Sequence, residues 1–274
     1  MSEIKTPSHL LQIFIVMRYE FLKIFKGKKL YGMIAFAFVV PVLLVALPEL
    51  LGGEYPDSEN NFVASQMNFM FIVIIISASF FGSSAIVSEF HDRTAYSLFP
   101  NPINRESIWF GKFLAALIIS FMISSIFYLV ISIGVLVEYE SIPEEILSSW
   151  GLSFVVVMMI TSISFLFSSI LKGPTGATVA VFILFILIFP MVEGIIIGFA
   201  DEKPWWLPSF LAKITEFSLF TPYPIDLEPG ERQRGPFDHH RFVPYVDQSI
   251  VMMTAYILVS STASIFIFKK KEMS

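Results

Sequence analysis

Asp238, His239 and His240 form the densest group of metal-ligating side chains in the sequence, within TPYPIDLEPGERQRGPFDHHRFVPY (221–245). A zinc site needs three or four converging ligands, and adjacent histidines in a proline- and charge-rich stretch do not supply them. They read as solvated side chains, and no metal site is expected. Glu193 is the other candidate, in FILFILIFPMVEGIIIGF (182–199). An ionisable residue inside an apolar run is costly against lipid and is a functional candidate by default. Pro190, three residues earlier, should break or kink the helix. Two readings of Glu193 stay open. It marks a substrate path or ion-coupling site at a helix break, or it sits shallow, hydrogen-bonded to a neighbouring helix while Gly194 and Gly198 permit close packing. The sequence contains no G-x-x-x-x-G-K-[ST], no H-E-x-x-H and no G-x-S-x-G. No catalytic or cofactor-binding residue is therefore expected, and an intramembrane enzyme built from Glu193 with His239 or His240 lacks the ligand spacing.

The elements that carry these residues follow from composition. Of 274 residues, 55% are hydrophobic and only 15% charged, with a mean hydropathy of +0.73. One soluble core cannot hide that much apolar surface. Six runs, at about 30–51, 68–87, 110–137, 150–171, 177–199 and 249–268, are long enough to cross a hydrocarbon layer of about 30 Å. The expected fold is an all-α polytopic membrane protein, a single transmembrane domain over 1–274 with both termini on one side. There is no cysteine, which excludes disulfides and thiolate metal sites. No cleavable signal peptide is evident, because the first apolar run is too long for one.

Charge decides the side. Lys5, Arg18, Lys23, Lys26, Lys28 and Lys29 precede the first span, and Lys269, Lys270 and Lys271 follow the last. Arg93, Arg105 and Lys172 lie in the loops of the same side. The opposite loops, 52–67 and 138–149, carry no Lys or Arg but hold Glu54, Asp57, Glu59, Glu138, Glu140, Glu144 and Glu145. The positive-inside rule then places both termini in the cytoplasm and 200–248 outside, in a multi-pass cell-membrane protein. Residues 1–29 predict a helix along the inner membrane surface, with Leu10, Ile13, Phe14, Met17, Phe21, Ile24 and Phe25 recurring at helical spacing. PWWLPSFLAKITEFSLF (204–220) predicts a short helix at the outer interface. Small residues of the second span, among them Ser77, Ala78, Ser79, Gly82, Ser83 and Ala85, predict close helix packing.

The cytoplasmic segment 88–109 has the clearest internal order. Phe90, Thr94, Leu98 and Phe99 fall near one helical face, and Glu89 lies four residues before Arg93, the favourable ion-pair orientation. Pro100 and Pro102 stop this helix, and Asn104 is a good N-cap for the next, with Glu106 in its first turn. The pattern is an amphipathic surface helix, a proline-marked turn and a capped re-entry into the third span.

With these pieces in place, the chain resembles the membrane subunit of ABC-2 type ABC transporters. The resemblance runs through RYEFLKIFKGKKLYG (18–32) with Glu20, through SEFHDRTAYSLFPNPINRESIWFGKFLAA (88–116), and into FKKKEMS (268–274). In the middle segment the matching residues are Glu89, Arg93, Thr94, Pro102, Asn104, Arg105, Gly111 and Lys112. The departure is a missing glycine between Arg93 and Thr94. The resemblance implies a six-helix permease, an exporter that dimerises with a second copy in the lipid bilayer. It further implies two copies of an ABC ATPase that bind ATP, so that the permease itself holds no cofactor. Residues 88–99 would be the coupling helix, with Glu89, Phe90, Arg93, Thr94, Leu98 and Phe99 meeting the ATPase. Pro190 and Glu193 would mark a break in span five before external re-entrant helices. No nucleic-acid partner is implied. The alternatives are a secondary transporter that uses Glu193 as its ion-coupling site, and a membrane scaffold without transport.

Overall fold

The computed structural model describes residues 8–56, 58–91, 104–226 and 242–271. The described residues are helical and contain no strand, and six helices are long and apolar enough to cross a membrane. The spans are α2 (Lys28–Leu51), α3 (Glu59–Gly82), α5 (Arg105–Tyr139), α6 (Glu145–Ile170), α7 (Pro174–Ala200) and α10 (Val246–Lys270). They extend past the apolar runs at several ends, because polar residues continue the turns beyond the hydrocarbon: α5 takes in Arg105, Glu106 and Glu138.

The core is built by α3, α5 and α6, whose apolar sides meet one another, whereas α2, α7 and α10 leave most of their surface uncovered. Gly82 shows why small residues line α3. A Cβ at that position would lie 2.8 Å from Ser164 Cβ on α6, a separation that real side chains do not reach. Ser77, Ala78, Ser79, Ser83 and Ala85 are all buried beside it, as the packing reading expects. Polar pins supplement this packing. Trp109 Nε1 donates to Ser264 Oγ at 2.9 Å, joining α5 to α10, and Ser169 and Ser264 hydroxyls meet at 2.8 Å.

The N-terminal helix α1 (His9–Lys26) begins at Ser8, whose hydroxyl accepts from the Leu11 N–H. Lys23 and Lys26 occupy its last turn, where cations suit the helix dipole. Its apolar positions divide between two neighbours. Val16, Phe21 and Ile24 pack on the bundle, while Leu10, Phe14 and Phe25 remain exposed. After α3 the chain passes through a turn at 83–86 into α4 (Val87–His91). Ser168 of α6 fixes that turn by accepting from the Ile86 and Val87 N–H groups, each at 3.0 Å.

Two expectations are corrected. Span five is not broken at Pro190: α7 runs from Pro174 to Ala200 and widens into π turns at Ile183–Ile188 and Ile196–Ala200. The Phe189 N–H donates to Leu184 O, five residues back, so the turn has already opened where the proline ring arrives without an N–H. The 204–220 segment is not one interfacial helix. It forms α8 (Pro208–Ala212) and α9 (Ile214–Phe217), whose side chains are buried in the bundle rather than spread along a membrane surface.

Candidate functional site

The end of the bundle that carries α1 and the last turn of α10 contains a buried charge cluster. Lys112, in the second turn of α5, is 3% exposed. Its ammonium lies 2.7 Å from Glu20 Oε2 on α1 and 2.7 Å from Glu89 Oε1 on α4. Lys23 completes the group from the solvent side, 3.1 Å from Glu89 and 3.6 Å from Glu20. Burial alone would lower the Lys23 pKa, but the two carboxylates outweigh it and hold that ammonium above its ordinary value. Two acids and two bases close a network in which each buried charge has a partner. The network ties α1, α4 and α5 into one body.

Close backbone packing makes this possible. A Cβ on Gly111 would lie 2.7 Å from Val16 Cβ and 2.8 Å from Ile13 O, so glycine lets α1 lie directly on α5. The start of α5 is anchored from outside its own helix. Gln12 Oε1 accepts from the Asn104 N–H at 3.0 Å, and the Asn104 amide faces the His9 ring at 3.2 Å. Asn104 does hold the N-cap position, but its side chain turns to His9 instead of capping the first turn.

The C-terminal end of α10 closes the same corner. Arg105 donates to Lys269 O at 2.7 Å and Lys271 O at 3.2 Å, and Lys269 pairs with Glu106. Lys271 donates to Ser169 O and Leu171 O, which satisfies carbonyls at the end of α6. Burial lowers the Lys271 pKa. Its ammonium also stands 4.9 Å from the Phe90 ring, which packs edge-on against Phe268.

A second cluster lies at the opposite end, between α7 and the inserted α8–α9 pair. Glu193 is buried, with Lys213 Nζ 2.7 Å from Oε1 and Ser209 Oγ donating to Oε2 at 2.6 Å. The three line a cleft of about 490 Å³ together with Phe71, Met67 and Glu216. Burial pushes the Glu216 carboxyl up to about 7, against a smaller opposing pull from Lys213.

A family model described as ABC-2 family transporter protein matches residues 14–273. The chain belongs to the ABC-2 transporter family. No curated protein matches it significantly. It is a multi-pass ABC transporter permease, the membrane component of a system whose family normally works with an ABC ATPase.

Within this permease, Glu89 and Phe90 of the sequence-derived coupling set are turned inward, toward Lys112 and Phe268 respectively. Arg93, Thr94, Leu98 and Phe99 lie outside the described residues, as do Asp238, His239 and His240. Among the described residues, no group of three or more His, Asp or Glu side chains is arranged to hold a metal ion. Pro190 and Glu193 both line the cleft, and the Glu193 charge is met by Lys213, at the junction of α8 and α9, rather than by a neighbouring span. The sequence reading missed Lys213 and Glu216. Their signal was present: they are the two charges in the otherwise apolar 204–220 run, three residues apart and so on one helical face.

Proposed function

We propose that the chain is the permease subunit of an ABC exporter, paired with a second copy of itself and driven by two ATPase subunits at the end that carries its termini. That end faces the cytoplasm, by the lysine and arginine asymmetry of the loops. ATP is bound and hydrolysed on the partner, and this chain supplies the docking segment and the path through the membrane. The ATPase meets the segment 88–99, with Arg93, Thr94, Leu98 and Phe99 providing the contact. Glu89 and Phe90 serve as its root.

The observation that carries this reading is the buried Glu20–Lys112–Glu89 cluster. A segment that transmits force needs a stiff attachment to the spans it moves. Through Glu89 the root of the segment is fixed to α5, and through Ser168 the preceding bend is fixed to α6. Closure of the ATPases pulls on α4, and the pull reaches α3, α5 and α1 together. Coupling then requires that the ATPase contacts differ between two arrangements of these helices. Glu193, the acid on which the secondary-transporter reading relied, is itself paired with Lys213 and Ser209.

The experiment is ATPase stimulation in proteoliposomes containing the permease and its ATPase. Arg93→Ala and Leu98→Ala should assemble normally in the membrane and lose most of the stimulated hydrolysis. Full stimulation with both variants would remove the docking role from this segment.

A further inference from the structure

The cleft between α7, α3 and the α8–α9 pair holds a buried acid, Glu216, with no hydrogen-bonded partner among the described residues. Three charged side chains line it: Glu193, Lys213 and Glu216. Lys213 is committed to Glu193 at 2.7 Å, and Ser209 completes that carboxylate. Glu216 is 8% exposed, lines the cleft, and among the described residues receives no hydrogen bond or salt bridge. A buried acid without a partner is costly unless a ligand or a proton meets it.

The rest of the lining says what kind of ligand that is. Phe71 and Met67 supply an apolar wall, and Asn68 a neutral amide. The volume of about 490 Å³ lies in the range of small-molecule sites. A hard metal ion needs about six or more oxygen ligands, and the cleft has two carboxylates, one of them already spent on Lys213. An anion would meet an excess of negative charge. One cationic head and one apolar body satisfy both features of the lining.

We propose that this cleft binds a small amphipathic amine, with the ammonium group paired to Glu216 and the apolar body against Phe71 and Met67. The site stands on the cleft alone and does not depend on coupling to an ATPase, so it is tested on the permease by itself. The ammonium binds the carboxylate form, and the raised Glu216 pKa makes affinity rise with pH between about 6 and 8. Burial raises the Glu216 pKa and Lys213 pulls against it; the other groups around Glu216 are engaged elsewhere. Lys213 and Glu193 are paired with each other, α3 presents Asn68, and Ser149 of α6 donates to Thr215 O. At the ends of those two helices, Glu59 is bonded to Ser141 and Glu145 to Thr221.

The test measures saturable binding of 4-phenylbutylamine to the full chain in lipid nanodiscs, with 4-phenylbutanol as the neutral control. Wild type should bind the amine at least about tenfold more tightly than the alcohol at pH 8, and this preference should shrink toward pH 6. Glu216→Gln should remove both the preference and its pH dependence while the protein stays folded, as shown by an unchanged melting profile at pH 5. The proposal is overturned by equal amine and alcohol binding in wild type, by no saturable amine binding, or by an undiminished preference in Glu216→Gln.

Discussion

Replacing Lys112 with methionine removes the buried ammonium that lies 2.7 Å from both carboxylates. Glu20 and Glu89 would then lose their buried cation and keep Lys23, whose side chain is half exposed. Removing one partner of a buried ion pair costs about 3–5 kcal/mol, most of it from the charge left behind. Lys23 is 3.1 Å from Glu89 but reaches it from solvent, so the lower end applies, about 3 kcal/mol. At about 1.4 kcal/mol per factor of ten, local opening of α1 and α4 from α5 becomes about a hundredfold more frequent. Hydrogen exchange of the nanodisc-embedded protein measures this directly. Backbone amides of 12–26 and 105–112 should lose about two decades of protection, while the α3–α6 core stays protected. The triple variant Glu20→Gln, Glu89→Gln, Lys112→Met removes the stranded charges as well and should return to within about 1 kcal/mol of wild type. Wild-type protection in Lys112→Met, or a triple variant as labile as the single one, would refute the electrostatic origin of the attachment.

Further outcomes test the surrounding framework. Gly111→Ala places a methyl 2.8 Å from Ile13 O and should lower stability by about 1–3 kcal/mol in a thermal melt. Gly32→Ala, with no heavy atom within 4 Å of the new methyl, should melt at or above the wild-type temperature. Ser168→Ala strips the acceptor from the Ile86 and Val87 N–H groups and should cost about 1–3 kcal/mol per stranded donor, read as increased protease sensitivity at the 83–87 bend. Glu216 has its pKa raised from 4.5 to about 7, so its contribution to stability is fully present below about 4.5 and is lost as pH rises through about 7. Glu216→Gln should therefore melt above wild type at pH 8 and together with it near pH 5.

Much of the architecture was legible because lipid imposes a simple rule: apolar runs of spanning length become helices, and the six runs did. The α5 start after Asn104 was also legible, although the Asn104 side chain turns to His9 instead of capping the helix. Pro190 shows where local reasoning stops. The proline penalty is real, but α7 absorbs it by widening one turn, a choice that the sequence of isoleucines and leucines does not announce. The burial of α8 and α9 was hidden for a related reason. An apolar segment with a Trp pair suits a membrane interface and a protein interior alike, and only the fit against α3, α6, α7 and α10 decides between them. Glu20, Glu89 and Lys112 were each visible as charges near span ends. That they meet at 2.7 Å depends on Gly111 bringing α1 onto α5, a tertiary contact with no period in the sequence.

The absence of native cysteine allows the central claim to be tested with single introduced thiols. Leu98→Cys and Trp206→Cys place one reactive group on the proposed docking segment and one at the opposite end. Each protein is cross-linked in native membranes with a short thiol-to-amine reagent, and the captured partner is identified by mass spectrometry. The account predicts that Leu98→Cys captures a P-loop ATPase, with a yield that changes when a non-hydrolysable ATP analogue is added, and that Trp206→Cys captures none. Capture of the ATPase from Trp206→Cys, or a folded Leu98→Cys protein that captures none, would contradict it.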